Sequence, residues 1–408
     1  MSTSETAEID VARARRETPG CLQVLHLNNA GAALMPAPVL TAIHQHLDLE
    51  AAIGGYEAAA QAHAASEHVY DAAARLLNCQ PTEIAVVENA TRAWDMLFYS
   101  LPLGPGDRIL TAQAEYASNY LAYLQVCRRT GARVEVIPSD EHGQVSTAAL
   151  ANLLDDRVKL IALTHVPTNG GLVNPAAEIG RLARQAGVPY LLDACQSVGQ
   201  MPIDVQAIGC DFLSATGRKY LRGPRGTGLL YCRVDWIPRL EPVFLDLHAA
   251  TWTGPDEYEI RPDARRFENW ETNYATKIAL GVAIDYALEW ELDLAYARIV
   301  GLAERLRWGI AAASGARIHD LGRQQCGIVS FDLAAIPAKE VQRQLSARRM
   351  NVSVSPASYT LLDMSARGLS HVVRASVHYY NTEGEVDQFC AALREIATGQ
   401  KAEASRLL

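Results

Sequence analysis

Residues 191–231 read LLDACQSVGQMPIDVQAIGCDFLSATGRKYLRGPRGTGLLY, and the succession of textures in this stretch decides the fold. An apolar strand pattern runs directly into Asp193 and Gln196. After a short connection, a second apolar strand at 212–215 ends in the turn TGRK, and a third strand follows at 228–231. The turn carries Lys219 among the close-set glycines Gly217, Gly223, Gly226 and Gly228, which implies backbone folded tightly around something. In a doubly wound sheet, ligands lie outside the carboxyl ends of the strands, so Asp193, Gln196 and Lys219 stand where function is expected. Two of them have a plainer alternative: Asp193 can cap a following helix, and an isolated turn lysine is ordinarily a solvated charge.

The same alternation extends from about residue 75 to residue 232. Short β-branched or leucine-rich runs at 84–87, 108–111, 133–137, 160–164 and 190–193 alternate with alanine-rich segments of helical spacing. This predicts an α/β domain with a mainly parallel sheet. The helices 118–131 and 175–187 carry Gly131 and Gly187 as C-terminal stops, and Pro175 opens the second. Past Arg266 the texture becomes long and helical, with strands expected at 327–331 and 372–377 and a last helix over EVDQFCAALREIA. The expected division is an N-terminal extension at 1–25, a large domain at 26–265 whose N-terminal segment contributes to the small domain, and a helical connection with a small α+β domain at 266–408.

A chain of 408 residues with a formal net charge of −9 does not attract nucleic acid or an anionic membrane. No apolar run approaches the roughly 20 residues of a membrane span, and the N-terminus lacks a signal peptide's apolar core, so the cytoplasm is the default compartment. The 8 cysteines show neither a CxxC pair nor metal-like Cys/His spacing, so they read as buried small hydrophobes; neither a disulfide framework nor a metal site is expected.

An aspartate, a glutamine and a lysine on adjoining strand ends suit pyridoxal phosphate. The amine can form a Schiff base with its aldehyde, the carboxylate can hold its ring nitrogen protonated, and the carboxamide can meet the ring's 3-oxygen. Thr216 and Arg218 can serve its phosphate. NATR at 89–92 opens a helix after a strand, so the backbone N–H groups of Thr91 and Arg92 and the Thr91 hydroxyl form a second anion site; simple capping by Asn89 or Thr91 is the alternative. Tyr116 follows another strand and can stack on a flat ring, or belong to the core.

These residues closely resemble the cofactor site of class V aminotransferase-fold enzymes: cysteine desulfurases, isopenicillin N epimerase and related C–S lyases. LHLNNAGAALMP, NATR, AEYASN, RRFENWETNYA and VVRASVHYYNT extend the resemblance over nearly the whole chain. It implies a fold type I architecture, with a large domain built on a mainly parallel seven-stranded sheet and a smaller C-terminal α+β domain. By resemblance, Lys219 is the Schiff-base lysine, Asp193 the ring-nitrogen partner and Gln196 the 3-oxygen contact. Thr91, Arg92, Thr216 and Arg218 fall at phosphate positions, and Tyr116 at the ring-stacking place. Asn169 lies near the cofactor oxygen or the substrate, Arg374 grips the substrate α-carboxylate, and the LNNAG segment, Asn29 included, supplies backbone contacts near that carboxylate. A homodimer is implied, in which Thr272 reaches the partner's phosphate site.

Desulfurases carry a catalytic cysteine on a loop shortly before the carboxylate arginine. The matching stretch, VSVSPASYTLLDMSARGLSHVVR, has none. In look the chain is nearest to hercynylcysteine sulfoxide lyases and to the enzymes of lincosamide pathways that act on cysteine S-conjugates. The leading expectation is therefore β-elimination from a cysteine S-conjugate or its sulfoxide. Epimerisation, with Tyr116, Tyr359 or His378 as second acid/base, and decarboxylating or oxidative deamination are the alternatives; transamination, desulfuration and a non-catalytic scaffold rank below. TWTGPDEYEIRPDARRFENWE is read equally as a substrate wall or as a mere connection.

Overall fold

The structure, a computed structural model, describes residues 8–404. The first seven residues of the expected 1–25 extension and the last four of the 266–408 segment lie outside the described residues.

The strands predicted from apolar runs assemble into one seven-stranded sheet, in the order Ile84–Val87, Gly228–Cys232, Phe212–Thr216, Tyr190–Asp193, Val158–Thr164, Arg108–Thr111, Arg133–Val136. All run in one direction except Gly228–Cys232, which is antiparallel to both neighbours. Successive side chains of a strand point to opposite faces, and here both faces are apolar. Leu110, Ile161, Leu163, Leu192, Leu213 and Leu229 belong to one hydrophobic core, while Ile109, Leu160, Ala162, Leu191, Phe212 and Leu230 belong to the other. That double burial is why these strands read as continuous apolar runs rather than as alternations. The flanking helices end as their sequences require: Gly131 (φ +79°) and Gly187 (φ +66°) take the left-handed conformation just past Ala117–Thr130 and Ala176–Ala186.

The second sheet is antiparallel, in the order Ala316–Ile318, Ile328–Leu333, His371–Ser376, Ser353–Pro356. The long helical texture resolves into two helices, Tyr274–Leu288 and Leu292–Ala311, parted where Glu291 turns to φ +51°. The N-terminal segment crosses to this side of the molecule: Leu25–His26 pairs with Met350–Asn351, and Asn28 bridges to Ser376. The stretch TWTGPDEYEI forms an antiparallel hairpin, Ala250–Gly254 with Glu257–Ile260, exposing Trp252 and Tyr258. Among the described residues no helix is long and apolar enough to cross a membrane, and all 8 cysteines are free thiols.

Candidate active site

Every strand end singled out in the sequence faces one cavity of about 570 Å³ at the carboxyl edge of the large sheet. Its lining includes Thr91, Tyr116, Thr168, Asp193, Cys195, Gln196, Thr216, Arg218, Lys219 and Arg225.

Lys219 stands in a turn that only small residues can make. Gly217 N–H donates to Thr227 O at 3.0 Å and Gly223 N–H to Gly217 O at 2.7 Å. A Cβ on Gly217 would come within 2.2 Å of Thr227 Oγ1, and one on Gly228 within 2.6 Å of the Asn89 backbone. The arginines of the turn divide sharply. Arg222 is fully buried and donates to Leu34 O, Tyr379 Oη and Thr18 Oγ1, so it pins the turn to the N-terminal and C-terminal segments. Arg218 lines the cavity and donates to Gly31 O, while Arg225 lies at its exposed side.

The Lys219 amine makes no hydrogen bond or ion pair to the described residues. Burial pushes it below the ordinary lysine value; Arg218 and Arg374 add to that, while Cys195 and Asp193 oppose it. Asp193 is buried and accepts Cys195 N–H at 2.9 Å on Oδ1 and the Asn119 carboxamide at 3.0 Å on Oδ2. Neither partner carries charge, and no helix begins there for it to cap. A buried carboxylate without a cation is unfavourable, so the pocket has room for a ligand cation at this point.

Gln196 is buried, donates to Ala30 O at 3.1 Å, and leaves Oε1 without a partner. Arg374 is buried without a carboxylate. Its Nη1 donates to Thr168 O at 3.2 Å and also to Thr168 Oγ1, its Nε has no partner, and burial pushes it down to about 10. It remains a cation at neutral pH, with no carboxylate among the described residues paired to it.

Three site expectations change. Arg92 does not serve the cavity: its N–H is consumed by the Asn89 cap at 2.9 Å, and its guanidinium turns to Glu88, Asn269 and the Phe244 ring. Thr91, one residue earlier at the start of the helix Ala90–Phe98, does line it. Asn29 is consumed internally, accepting from Tyr380 Oη and donating to Ser376 O at 2.7 Å; the loop reaches the site instead through Ala30 O and Gly31 O. Asn169 turns toward the short helix Leu361–Ala366, donating to Thr360 Oγ1 and Met364 Sδ, and its neighbour Thr168 faces the cavity. Thr272 lies outside its own chain's Lys219 cavity and lines an adjoining one of about 580 Å³, which shares Glu88, Gly226 and Thr227 with it. The hairpin 250–260 contributes no lining residue.

Residues 25–389 match the family Aminotransferase class-V. The chain belongs to that family. A probable cysteine desulfurase of Methanothermobacter thermautotrophicus is 29% identical over 390 residues, spanning 94% of this chain and 97% of its own. The apo structure of the cysteine desulfurase of Thermococcus onnurineus NA1 superposes with a TM-score of 0.90 at 24% identity, covering 98% of this chain and 100% of that one. The cystine C-S lyase C-DES, in complex with its reaction product cysteine persulfide, gives 0.83 at 24% identity, covering 93% and 99%. At these identities the two structures carry the fold alone.

Class V aminotransferases use pyridoxal phosphate, and this chain is a pyridoxal-phosphate enzyme of that class. The cavity fits the cofactor: a buried carboxylate with only neutral donors, the unpartnered Oε1 of Gln196 and an unpaired amine converge on it. Glu115, Asn119, Thr168 and Cys195 were not singled out from the sequence, because each acquires its place from residues distant in the chain.

Proposed function

We propose that this class V enzyme is a C–S lyase. It eliminates the β-sulfur substituent of a cysteine S-conjugate or its sulfoxide, releasing a thiol or sulfenate together with pyruvate and ammonia. The observation that carries the reading is the state of the thiols. A persulfide-forming reaction needs a nucleophilic thiolate. Residues 352–373, leading to Arg374, contain no cysteine. The one cysteine among the described lining residues, Cys195, is pushed well above the ordinary thiol value by burial and by Asp193. Cys326 and Cys390 are buried elsewhere. The fold accommodates a C–S lyase, as C-DES illustrates, although fold alone does not fix chemistry.

In this reading Lys219 anchors the cofactor and Asp193 holds the proton on its ring nitrogen. Gln196 meets the ring oxygen, Tyr116 covers a ring face, and Thr91, Thr216 and Arg218 receive the phosphate. Bound there, pyridoxal phosphate supplies the electron sink for bond breaking at Cα. Lys219 Nζ, its basicity lowered by burial, accepts the Cα proton. Arg374, its Nη1 fixed by Thr168, holds the substrate carboxylate; stabilising that group as an anion opposes its loss as carbon dioxide. His378 is unsuited to a second proton transfer, because it is fully buried with Nε2 on Tyr220 O and Nδ1 accepting Tyr379 N–H.

The desulfurase names of the relatives make desulfuration the second reading. Product analysis with cysteine, S-alkylcysteines and their sulfoxides separates the two. Elimination gives pyruvate in a one-to-one ratio with thiol or sulfenate. Alanine with enzyme-bound sulfur would select desulfuration instead, and a panel that yields no pyruvate from any conjugate would end the lyase reading.

We also propose a homodimer in which Thr272 faces the partner's phosphate site. The adjoining cavity lined by Thr272 and Tyr56 lies beside the Lys219 cavity. Tyr56 is 81% exposed and Trp270, two residues before Thr272, is 50% exposed, an apolar exposure that marks contact surfaces. Sedimentation should give twice the 44.4 kDa chain mass; a monomer at assay concentrations would exclude this arrangement.

A further inference from the structure

We propose that Glu115 is a positioning residue that acts through Asn119. A buried carboxylate–carboxamide–carboxylate relay fixes Asp193 and sets how firmly it holds the proton on the cofactor's ring nitrogen. The inference rests on the assignment of Asp193 to that nitrogen.

Glu115 sits between the strand Arg108–Thr111 and the helix Ala117–Thr130, and is 3% exposed. Its Oε2 accepts the Thr111 hydroxyl at 2.8 Å. Its Oε1 accepts the Thr164 hydroxyl at 2.5 Å, the Tyr116 N–H at 2.8 Å and the Asn119 carboxamide at 3.0 Å. Every one of these partners is a neutral donor. The same Asn119 nitrogen donates to Asp193 Oδ2 at 3.0 Å. A carboxamide nitrogen has two protons, so one goes to each carboxylate and the side chain has no freedom left.

The groups around Glu115 explain why the relay responds to protonation. From the strand Tyr190–Asp193 it meets the Asp193 carboxylate, from the helix Ala117–Thr130 the Tyr123 phenol, and from the neighbouring strands Arg108–Thr111 and Val158–Thr164 the two threonine hydroxyls. None of its hydrogen-bond partners is a cation. Burial, then the charge of Asp193, push its carboxyl up to about 7 against the hydrogen bonds from Thr164, Asn119 and Thr111. Taking up a proton gives Glu115 a donor that faces other donors. The threonine hydroxyls can rotate to accept it, whereas Asn119 can do so only by turning its oxygen inward and releasing Asp193. A second carboxylate that only filled space would carry no such coupling, and burying one without a cation is unfavourable.

The test uses the cofactor-loaded enzyme and its Glu115→Gln, Asn119→Ala, double and Asp193→Ala variants. The measurements are the cofactor dissociation constant and the pH dependence of its visible absorption. Glu115→Gln is expected to weaken cofactor binding about 10-fold, the scale of a lost hydrogen bond to a charged group, and to abolish a spectral transition near neutral pH. The double variant should lose no more than about twofold beyond Asn119→Ala, since residues of one relay do not act additively. If Glu115→Gln does not fold, Asn119→Ala carries the same expectations alone. Wild-type affinity and spectrum in Glu115→Gln or Asn119→Ala, with Asp193→Ala impaired, would overturn the relay while sparing the Asp193 assignment. Wild-type behaviour of Asp193→Ala would overturn that assignment and the relay with it.

Discussion

Lys219→Ala is expected to lower turnover by about 10⁴-fold, the upper end of what a positioned general base contributes, because the amine both anchors the cofactor and takes the Cα proton. Neither of the two arginines nearest its charge can take its place. Arg218 stays charged and is tied to Gly31 O, and Arg374 is tied to Thr168. An added small primary amine should restore part of the pyruvate formation, since it can enter the space the side chain vacates. Turnover within tenfold of wild type would remove Lys219 from the chemistry.

The same substitution carries a stability signature of opposite sign. A lysine whose folded value lies below its unfolded value destabilises the fold at pH values where the unfolded chain holds the proton. That cost disappears as pH rises through the unfolded value of about 10.4. Stripped of cofactor, Lys219→Ala should therefore melt above wild type at pH 7, and the two curves should converge above about pH 10. An activity loss joined to a stability gain is the mark of a group kept for function against the preference of the fold.

What the sequence discloses follows from how burial is distributed. The strands of the large sheet are apolar on both faces and bounded by turns, so their positions are legible to within a residue or two; Val158–Thr164 exceeds its expectation only because Lys159 interrupts the apolar run. In the small sheet, Ala316–Ile318 and Ser353–Pro356 are short, polar and at the edges, so no pattern announces them. The break at Glu289–Glu291 is equally silent, since neither glycine nor proline marks it and tertiary packing imposes the left-handed Glu291.

The site divides in the same way. Lys219, Asp193, Gln196, Thr216, Arg218 and Tyr116 stand at strand ends, which the topology gathers at one edge. Thr91 and Arg92 could not be told apart without knowing that the Asn89 cap takes the Arg92 amide. Asn169 and Thr168 are likewise indistinguishable in the sequence, because the anchor that turns Asn169 from the cavity, Thr360, is 191 positions away. Glu115 reads locally as an ordinary acid before a helix. Only the approach of Thr164 and of Asn119 to Asp193 gives it a role.

Arg374→Lys tests the other end of the substrate, and the expected result is a split between parameters. Replacing a planar fork with a point charge removes the paired donors that fit a carboxylate, so KM should rise roughly 10- to 100-fold, the scale of hydrogen bonds to charged groups, with kcat falling much less. Burial adds a pH dependence that wild type lacks. The burial that lowers Arg374 would lower a lysine as well, starting from an ordinary value of only about 10.4. The wild-type guanidinium thus stays charged across the working range, whereas the lysine variant loses its proton at lower pH than a free lysine and its KM should climb as it does. A kcat collapse at constant KM would place Arg374 in the bond-breaking step rather than in carboxylate binding. Unchanged kinetics would mean that the anion awaited by this buried, unpaired cation is not the substrate's carboxylate.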